Sequence, residues 1–283
     1  MTEYDTSQTL LLGHSPDPDD AFMFYGLAKG LVDAGRWRFE HVLQDIQTLN
    51  ERALRGELHI TAISIHAYPY VADRYALTNC GSSMGDGYGP LVVAREPMAW
   101  QDLRGQRIAV PGRMTTAFLA LNLLLGRDAF EHEIVPFDRI LEHVAAGRAD
   151  AGLIIHEGQL TYQRQRLESV VDLGVWWKTE TGLPLPLGGN VIRRDLGAEN
   201  MREIAAILQR SIRYSLDHRR EAVAHALAYA RDMGTDLADR FVGMYVNDWT
   251  LDYGEAGRSA VRELLQRGHQ AGLVPAVETI DFV

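Results

Sequence analysis

Among the ten histidines of the chain, His156 stands where a base is most useful. In ADAGLIIHEG, residues 149–158, the apolar and partly β-branched stretch 151–155 reads as a short buried parallel strand that runs directly into His156 and Glu157. Open α/β sheets keep their ligand crevice outside the carboxyl ends of the strands. An imidazole placed there, largely neutral at pH 7, can accept a proton from a bound molecule. Glu157 is expected in solvent, because neighbours on an extended chain point to opposite faces. His14, His59 and His66 also lie near strand ends. No GxSxG elbow is present, so a Ser–His–Asp triad is not indicated.

Two turns carry hydroxyls and free amides. SPDPDD, residues 15–20, is a strand-to-helix turn in which Asp17 reads as an N-cap and Pro18 as the first helical residue. Capping accounts for Asp17, and the helix dipole for Asp19 and Asp20. Ser15, at the strand end, is the better ligand candidate. GRMTTA, residues 112–117, puts Thr115 and Thr116 at the N-cap and first position of another helix. They can cap it, or cap it and also hold a carboxylate. No metal site is expected from the three aspartates, and no phosphate loop is present, since neither GxxxxGK[ST] nor GxGxxG occurs. In VWWKTETG, Trp176 or Trp177 could cover a flat ligand ring, or close a core.

These residues need a scaffold, and the pattern predicts one. Strands are expected over 10–13, 39–43, 60–64, 107–110, 133–137, 151–155 and 170–174, with extended segments at 88–95 and 184–194. Helices are expected from 17 to about 32, over 48–56 behind a Thr48–Glu51 capping box, from about 115, and from 138 behind Asp138; the period turns to 3.6 from about 199 to 271. Alternating β and α units imply mostly parallel sheets flanked by helices. LNERALRGELHITAIS and DRILEHVAAGRADAGLII share one layout, which places Ser64 and residues 155–156 at the same end of equivalent strands. Residues 1–92 with 188–283 are therefore expected to form one lobe carrying the C-terminal helices, and 93–187 the other, with a ligand cleft between them.

A formal net charge of −10 argues against nucleic acid or a membrane surface as partner. One cysteine, Cys80, allows no internal disulfide. The N-terminus lacks a signal-peptide pattern and no apolar run approaches the roughly 20 residues of a membrane span, so a cytoplasmic protein is expected. Two function classes fit: a clamshell enzyme and a non-catalytic clamshell binder of small molecules. The oligomeric state is not indicated.

SPDPDDAFMFYGL, VLQDIQTLNERAL, RIAVPGRMTTAF, AGLIIHEGQLTY and GVWWKTETGLPLPLGGNVIRRDLG, taken in order, resemble the 1,4-dihydroxy-6-naphthoate synthases of the futalosine route to menaquinone. The resemblance runs from about residue 10 to the C-terminus. It implies a two-lobed α/β clamshell like the type II periplasmic binding proteins, a substrate (cyclic dehypoxanthinyl futalosine) and no metal or organic cofactor. It puts the proton acceptor on His156, and ligand contacts on Ala62, Ile63 and Ser64 and on Thr115 and Thr116. Some relatives read SPCPND where this chain has SPDPDD, and some carry lysine where Ala62 stands.

Overall fold

A computed structural model describes residues 8–229 and 234–283. The polar segment 1–7 and residues 230–233, inside the expected helical run, lie outside the described residues.

The chain opens with β1 (Gln8–His14), α1 (Pro18–Met23), α2 (Tyr25–Ala28), β2 (Trp37–Leu43), α3 (Ile46–Arg55), β3 (Ile60–Ser64), β4 (Tyr75–Leu77) and β5 (Ser83–Gly85). It crosses through β6 (Leu91–Ala94) to β7 (Arg107–Val110), α4 (Thr116–Leu125), β8 (Glu131–Ile134), α5 (Ile140–Ala145), β9 (Ala151–Ile154), α6 (Gly158–Thr161), β10 (Glu168–Asp172) and α7 (Leu173–Thr181). It returns along β11 (Leu185–Arg193) and ends in α8 (Ala198–Asp217), α9 (Arg219–Ala226), α10 (Thr235–Tyr245), α11 (Asp248–Leu251) and α12 (Gly254–Gln270).

Two sheets result, ordered β2-β1-β3-β11-β4, with β5 also on β11, and β10-β6-β9-β7-β8. They share one plan. In each, a leading strand pairs parallel with two others: β1 with β2 and β3, β7 with β8 and β9. In each, the crossing strand then pairs antiparallel: β11 with β3 and β6 with β9. Only the leading halves are parallel, because each crossing strand enters from the other sheet. The register sets Gly188 against Ser64 and Leu91 against Ile154, so both crossings pass the carboxyl ends of β3 and β9.

Packing explains the local sequence. A Cβ on Gly152 would come within 2.6 Å of Ile140 and 2.7 Å of Val144, so β9 needs glycine where α5 lies on it. Met201, Ile204, Ile207, Leu208 and Ile212 make a helical stripe on α8 that buries against Leu10, Leu12 and Phe22. Full burial of each such side chain contributes about 1.5–3 kcal/mol. The last helix, α12, packs on β11 and touches α4, so one core runs from sheet to sheet.

Several local expectations are corrected. The first helix does not reach residue 32: all six residues of α1 are buried, the chain kinks at Phe24, and α2 stops before Gly30 in the left-handed region at φ 65°. Asp45, not Thr48, caps α3, its side chain accepting from the Thr48 amide at 3.1 Å. No capping hydrogen bond from Asp138 opens α5. Asp172 ends β10 and caps α7, so residues 173–174 are helical. Among the described residues no helix is long and apolar enough to cross a membrane.

Candidate active site

A cleft of about 750 Å³ lies where the carboxyl ends of β3 and β9, the start of α1 and the start of α4 converge. His156 lines it. The strand ends at Ile154, so His156 sits on the turn beyond it, its carbonyl accepting from the Gln159 amide at 3.2 Å. Its φ is 57°, a left-handed conformation that a non-glycine residue holds only where its surroundings impose it. Two partners do so. Nδ1 lies 3.3 Å from Oδ2 of Asp17, and the ring packs on Phe137 with centroids 4.6 Å apart. A carboxylate only accepts, so Asp17 beside Nδ1 favours the tautomer protonated on that nitrogen, which leaves Nε2 free to accept a proton. Glu157 is half-buried rather than fully in solvent as the extended-chain argument expected. Its backbone is helical (φ −61°, ψ −17°) and its Oε2 is buried without a hydrogen-bond partner.

The acids of SPDPDD do more than start a helix. Asp17 occupies the cap position but its side chain makes no capping hydrogen bond; the carboxylate turns to His156 instead. Asp20 accepts from the Ser15 amide at 2.7 Å. Asp19 lines the cleft with Oδ1 buried and unpartnered. Burial, reinforced by Asp20 and Asp17, pushes the Asp19 carboxyl well above the usual range. Burial pushes Asp20 up to about 6 against the pull of its hydrogen bond from Ser15. The dipole reading of Asp19 and Asp20 therefore does not suffice. The sequence holds a signal for this: AFMFY, directly after the acids, has no polar face, and a helix buried all round must enclose its own first turn.

The structure brings the remaining candidates to the same cleft: Ser15, Ala62, Ile63, Ser64, Thr115 and Thr116. The Ser15 Oγ accepts from the Asp17 amide at 3.2 Å. The Ser64 amide donates to Oδ1 of Asn50 at 2.8 Å, and Nδ2 of Asn50 donates to the Ser64 Oγ at 3.0 Å. The Ser64 hydroxyl proton is thereby aimed away from Asn50 and free for a ligand. Both threonine hydroxyls are engaged. Thr115 donates to the Gly112 carbonyl at 2.8 Å and accepts from the Phe118 amide at 3.2 Å. Thr116 donates to the Leu187 carbonyl at 2.6 Å and accepts from the His66 amide at 3.1 Å. What α4 offers the cleft is its first-turn amides rather than its hydroxyls.

Composition and periodicity gave no sign of Gln159 or Tyr245, which close the cleft as the Tyr245 hydroxyl donates to Oε1 of Gln159 at 2.7 Å. Trp177 is buried, its Nε1 donating to the Pro184 carbonyl at 3.0 Å, and neither it nor Trp176 lines the cleft. Among the described residues no group of three or more His, Cys, Asp or Glu is placed to hold a metal.

Residues 10–270 match the family model described as menaquinone biosynthesis. The chain belongs to that family. A Thermus thermophilus protein named 1,4-dihydroxy-6-naphtoate synthase is 46% identical over 94% of this chain and 96% of its own length. A Streptomyces coelicolor protein of the same name is 40% identical over 96% of this chain and 97% of its own. A crystal structure from Archaeoglobus fulgidus superposes with a TM-score of 0.89 at 44% identity, covering 94% of this chain and 98% of that one. A Candida albicans protein described as having the generic periplasmic binding protein fold superposes with a TM-score of 0.69 at 14% identity, covering 96% of this chain and 92% of that one. This family member is thus a menaquinone-biosynthesis enzyme built on a periplasmic-binding-protein fold.

Proposed function

We propose that the protein is a carbon–carbon lyase converting cyclic dehypoxanthinyl futalosine to 1,4-dihydroxy-6-naphthoate. The observation that carries this is a histidine set 3.3 Å from a buried carboxylate in a cleft lined by the start of α1, the end of β3 and the start of α4. Nε2 of His156 removes a proton from the substrate. The pair of the broken C–H bond completes the aromatic ring, the carbon–carbon bond breaks with its pair leaving on the sugar-derived fragment, and that fragment takes up the proton, with aromatisation as the driving force. The Ser64 hydroxyl, the backbone around residues 62–64 and the first-turn amides of α4 hold the substrate carboxylate. With a formal net charge of −10, such local donors must do this, because the global field repels an anion. Residues 1–92 with 188–283 act as one lobe and 93–187 as the other. The Asp17–His156 and Tyr245–Gln159 contacts join the two, so closing the lobes assembles the base with its partner.

Turnover of cyclic dehypoxanthinyl futalosine by the purified protein tests this directly. His156→Asn keeps size and hydrogen bonding but cannot accept a proton at neutral pH. It should retain substrate binding and melting temperature and lose roughly 10²–10⁴-fold in kcat. Tight binding without product from the unaltered protein would make it a non-catalytic binder. An Asn variant as active as its parent would remove His156 from the chemistry.

A further inference from the structure

The Tyr245–Gln159 contact leaves one polar group of the cleft without a partner. Tyr245, on α10, donates its hydroxyl proton to Oε1 of Gln159, on α6, at 2.7 Å. That proton has no other acceptor among the described residues, so the amide turns its oxygen to Tyr245. The amide nitrogen, Nε2, then carries two protons and has no hydrogen-bond partner among the described residues. Unlike Oδ1 of Asp19, it is not sealed off from solvent, and Gln159 lines the cleft.

Gln159 stands one turn after His156, its backbone amide donating to the His156 carbonyl at 3.2 Å. Base and unpartnered amide therefore belong to one short turn. That turn is gripped twice from the other side of the cleft, by Asp17 at Nδ1 of His156 and by Tyr245 at Gln159. The helices beside these two residues, α1 and α10, pack on each other, so the two grips move together. Phe241, one turn before Tyr245, lines the same cleft with its ring 5.3 Å from the Tyr245 ring. The groups that hold the substrate carboxylate lie elsewhere. Asn50 joins Ser64 to the turn ahead of α4, donating to the Ser64 Oγ at 3.0 Å and to the Met114 carbonyl at 3.4 Å. A ligand anchored there by its carboxylate turns its far side to residues 156–159.

We propose that Nε2 of Gln159 binds the substrate, donating a hydrogen bond to a ring oxygen at the end where His156 works, and that Tyr245 is the positioning residue that aims it. The inference rests on the function proposed above and adds to it the group that recognises the oxygens which the product carries as hydroxyls.

The chemistry of both side chains suits this. An amide whose oxygen is pinned offers only N–H, so it accepts a carbonyl or hydroxyl oxygen and gives a bare ring edge nothing. Being neutral, it adds no charge beside the imidazolium that forms when His156 takes a proton. Burial pushes the Tyr245 phenol far up, so at neutral pH it stays protonated and keeps donating to Gln159. A site built to hydrogen-bond a ligand oxygen rejects an analogue that lacks it, because its own donor is then left unpaired. No proton or electron passes to or from Gln159, so the covalent course of the reaction is unaltered.

Binding of two ligands, measured anaerobically on the parent, Gln159→Met and Tyr245→Phe, tests this. One ligand is 1,4-dihydroxy-6-naphthoate. The other is 2-naphthoate, which keeps the rings and the carboxylate and lacks both hydroxyls. Methionine keeps the length of the side chain and loses the amide. The ratio of the two affinities cancels any loss of fold or closure that acts on both ligands alike. The parent should prefer the dihydroxy ligand, and Gln159→Met should lower that preference about tenfold. Tyr245→Phe breaks the tie across the cleft but keeps the amide, so it should lower the preference by less. A preference unaltered in Gln159→Met, or lost as fully in Tyr245→Phe, overturns the donor role alone. So does a parent that turns over cyclic dehypoxanthinyl futalosine without preferring the dihydroxy ligand. A parent that neither turns over that substrate nor binds the dihydroxy ligand overturns the function proposed above, and this inference with it.

Discussion

At the scale of single residues, the Asp17–His156 pair sits at a point where two local rules compete. Asp before Pro is a favourable N-cap, and the backbone of Asp17 does take the cap conformation (φ −93°, ψ 157°). Its side chain is nonetheless drawn 3.3 Å from a ring 139 positions along the chain (156 − 17). Local pattern could place His156 at a strand end beside a crevice, because a buried apolar run next to a titratable ring is visible in sequence. It could not place Asp17, because the choice between capping and pairing depends on a tertiary partner. Changing the acceptor tests the pairing. In Asp17→Asn the amide can present N–H to Nδ1 and favour the wrong tautomer, leaving Nε2 protonated. The expected result is a kcat lower by up to roughly 10⁴-fold, as when the carboxylate behind a catalytic histidine becomes an amide. KM and melting temperature should change little. A variant with unaltered kcat would show that Asp17 does not orient the base.

At the scale of elements, α4 and α3 illustrate what spacing can and cannot say. The double threonine marks the start of α4 correctly, with Thr115 at the cap and Thr116 next. What spacing hides is the destination of the hydroxyls. Thr115 is spent on its own helix, and Thr116 ties that helix to Leu187 on β11. For α3, Asp45 and Thr48 are both good caps three residues apart, and the end of β2 at Leu43 decides for the first. The two threonines should therefore fail differently. Thr115→Ala removes a cap and should cost about 1 kcal/mol of stability, with substrate affinity nearly kept. Thr116→Ala breaks the tie to β11 and orphans the Leu187 carbonyl and the His66 amide beside the cleft, so affinity should fall as well. Denaturant unfolding and a binding titration on each variant separate the cases. Equal loss of affinity in both would mean that the Thr115 hydroxyl leaves its cap to touch the ligand.

At the scale of the whole molecule, the alternation of strands and helices and the internal echo anticipate two sheets of one plan, because periodicity survives translation along a chain. The core that α12 builds between sheets is not legible, since helix faces do not name their partners. Nor are the buried titratable groups behind the cleft, whose protonation couples the fold to pH. His14 donates from Nδ1 to the Ser15 carbonyl at 2.9 Å and accepts at Nε2 from Nδ1 of His41 at 2.9 Å. Burial lowers both rings from 6.5 to about 4. A depressed histidine stabilises the fold above its unfolded pKa, and that contribution is lost as pH falls from 6.5 towards 4. The acids across the turn have the opposite sign. Asp20, raised from 3.8 to about 6, favours folding below 3.8, and its contribution is lost as pH rises through 6. Asp19 is raised as well and acts in the same direction. Two groups of buried residues thus oppose each other between pH 6.5 and 4, and the parent protein should show a shallow stability profile there. Removing one side exposes the other. His41→Gln keeps a donor for His14 but deletes one depressed ring, so stability should rise relative to the parent as pH is lowered from 6.5 to 4. Asp19→Asn deletes a raised carboxyl, so stability should fall relative to the parent over the same interval. Urea unfolding at pH 7, 5.5 and 4.5 reads both slopes. Parallel profiles for all three proteins would mean that these groups titrate alike in the folded and unfolded chain.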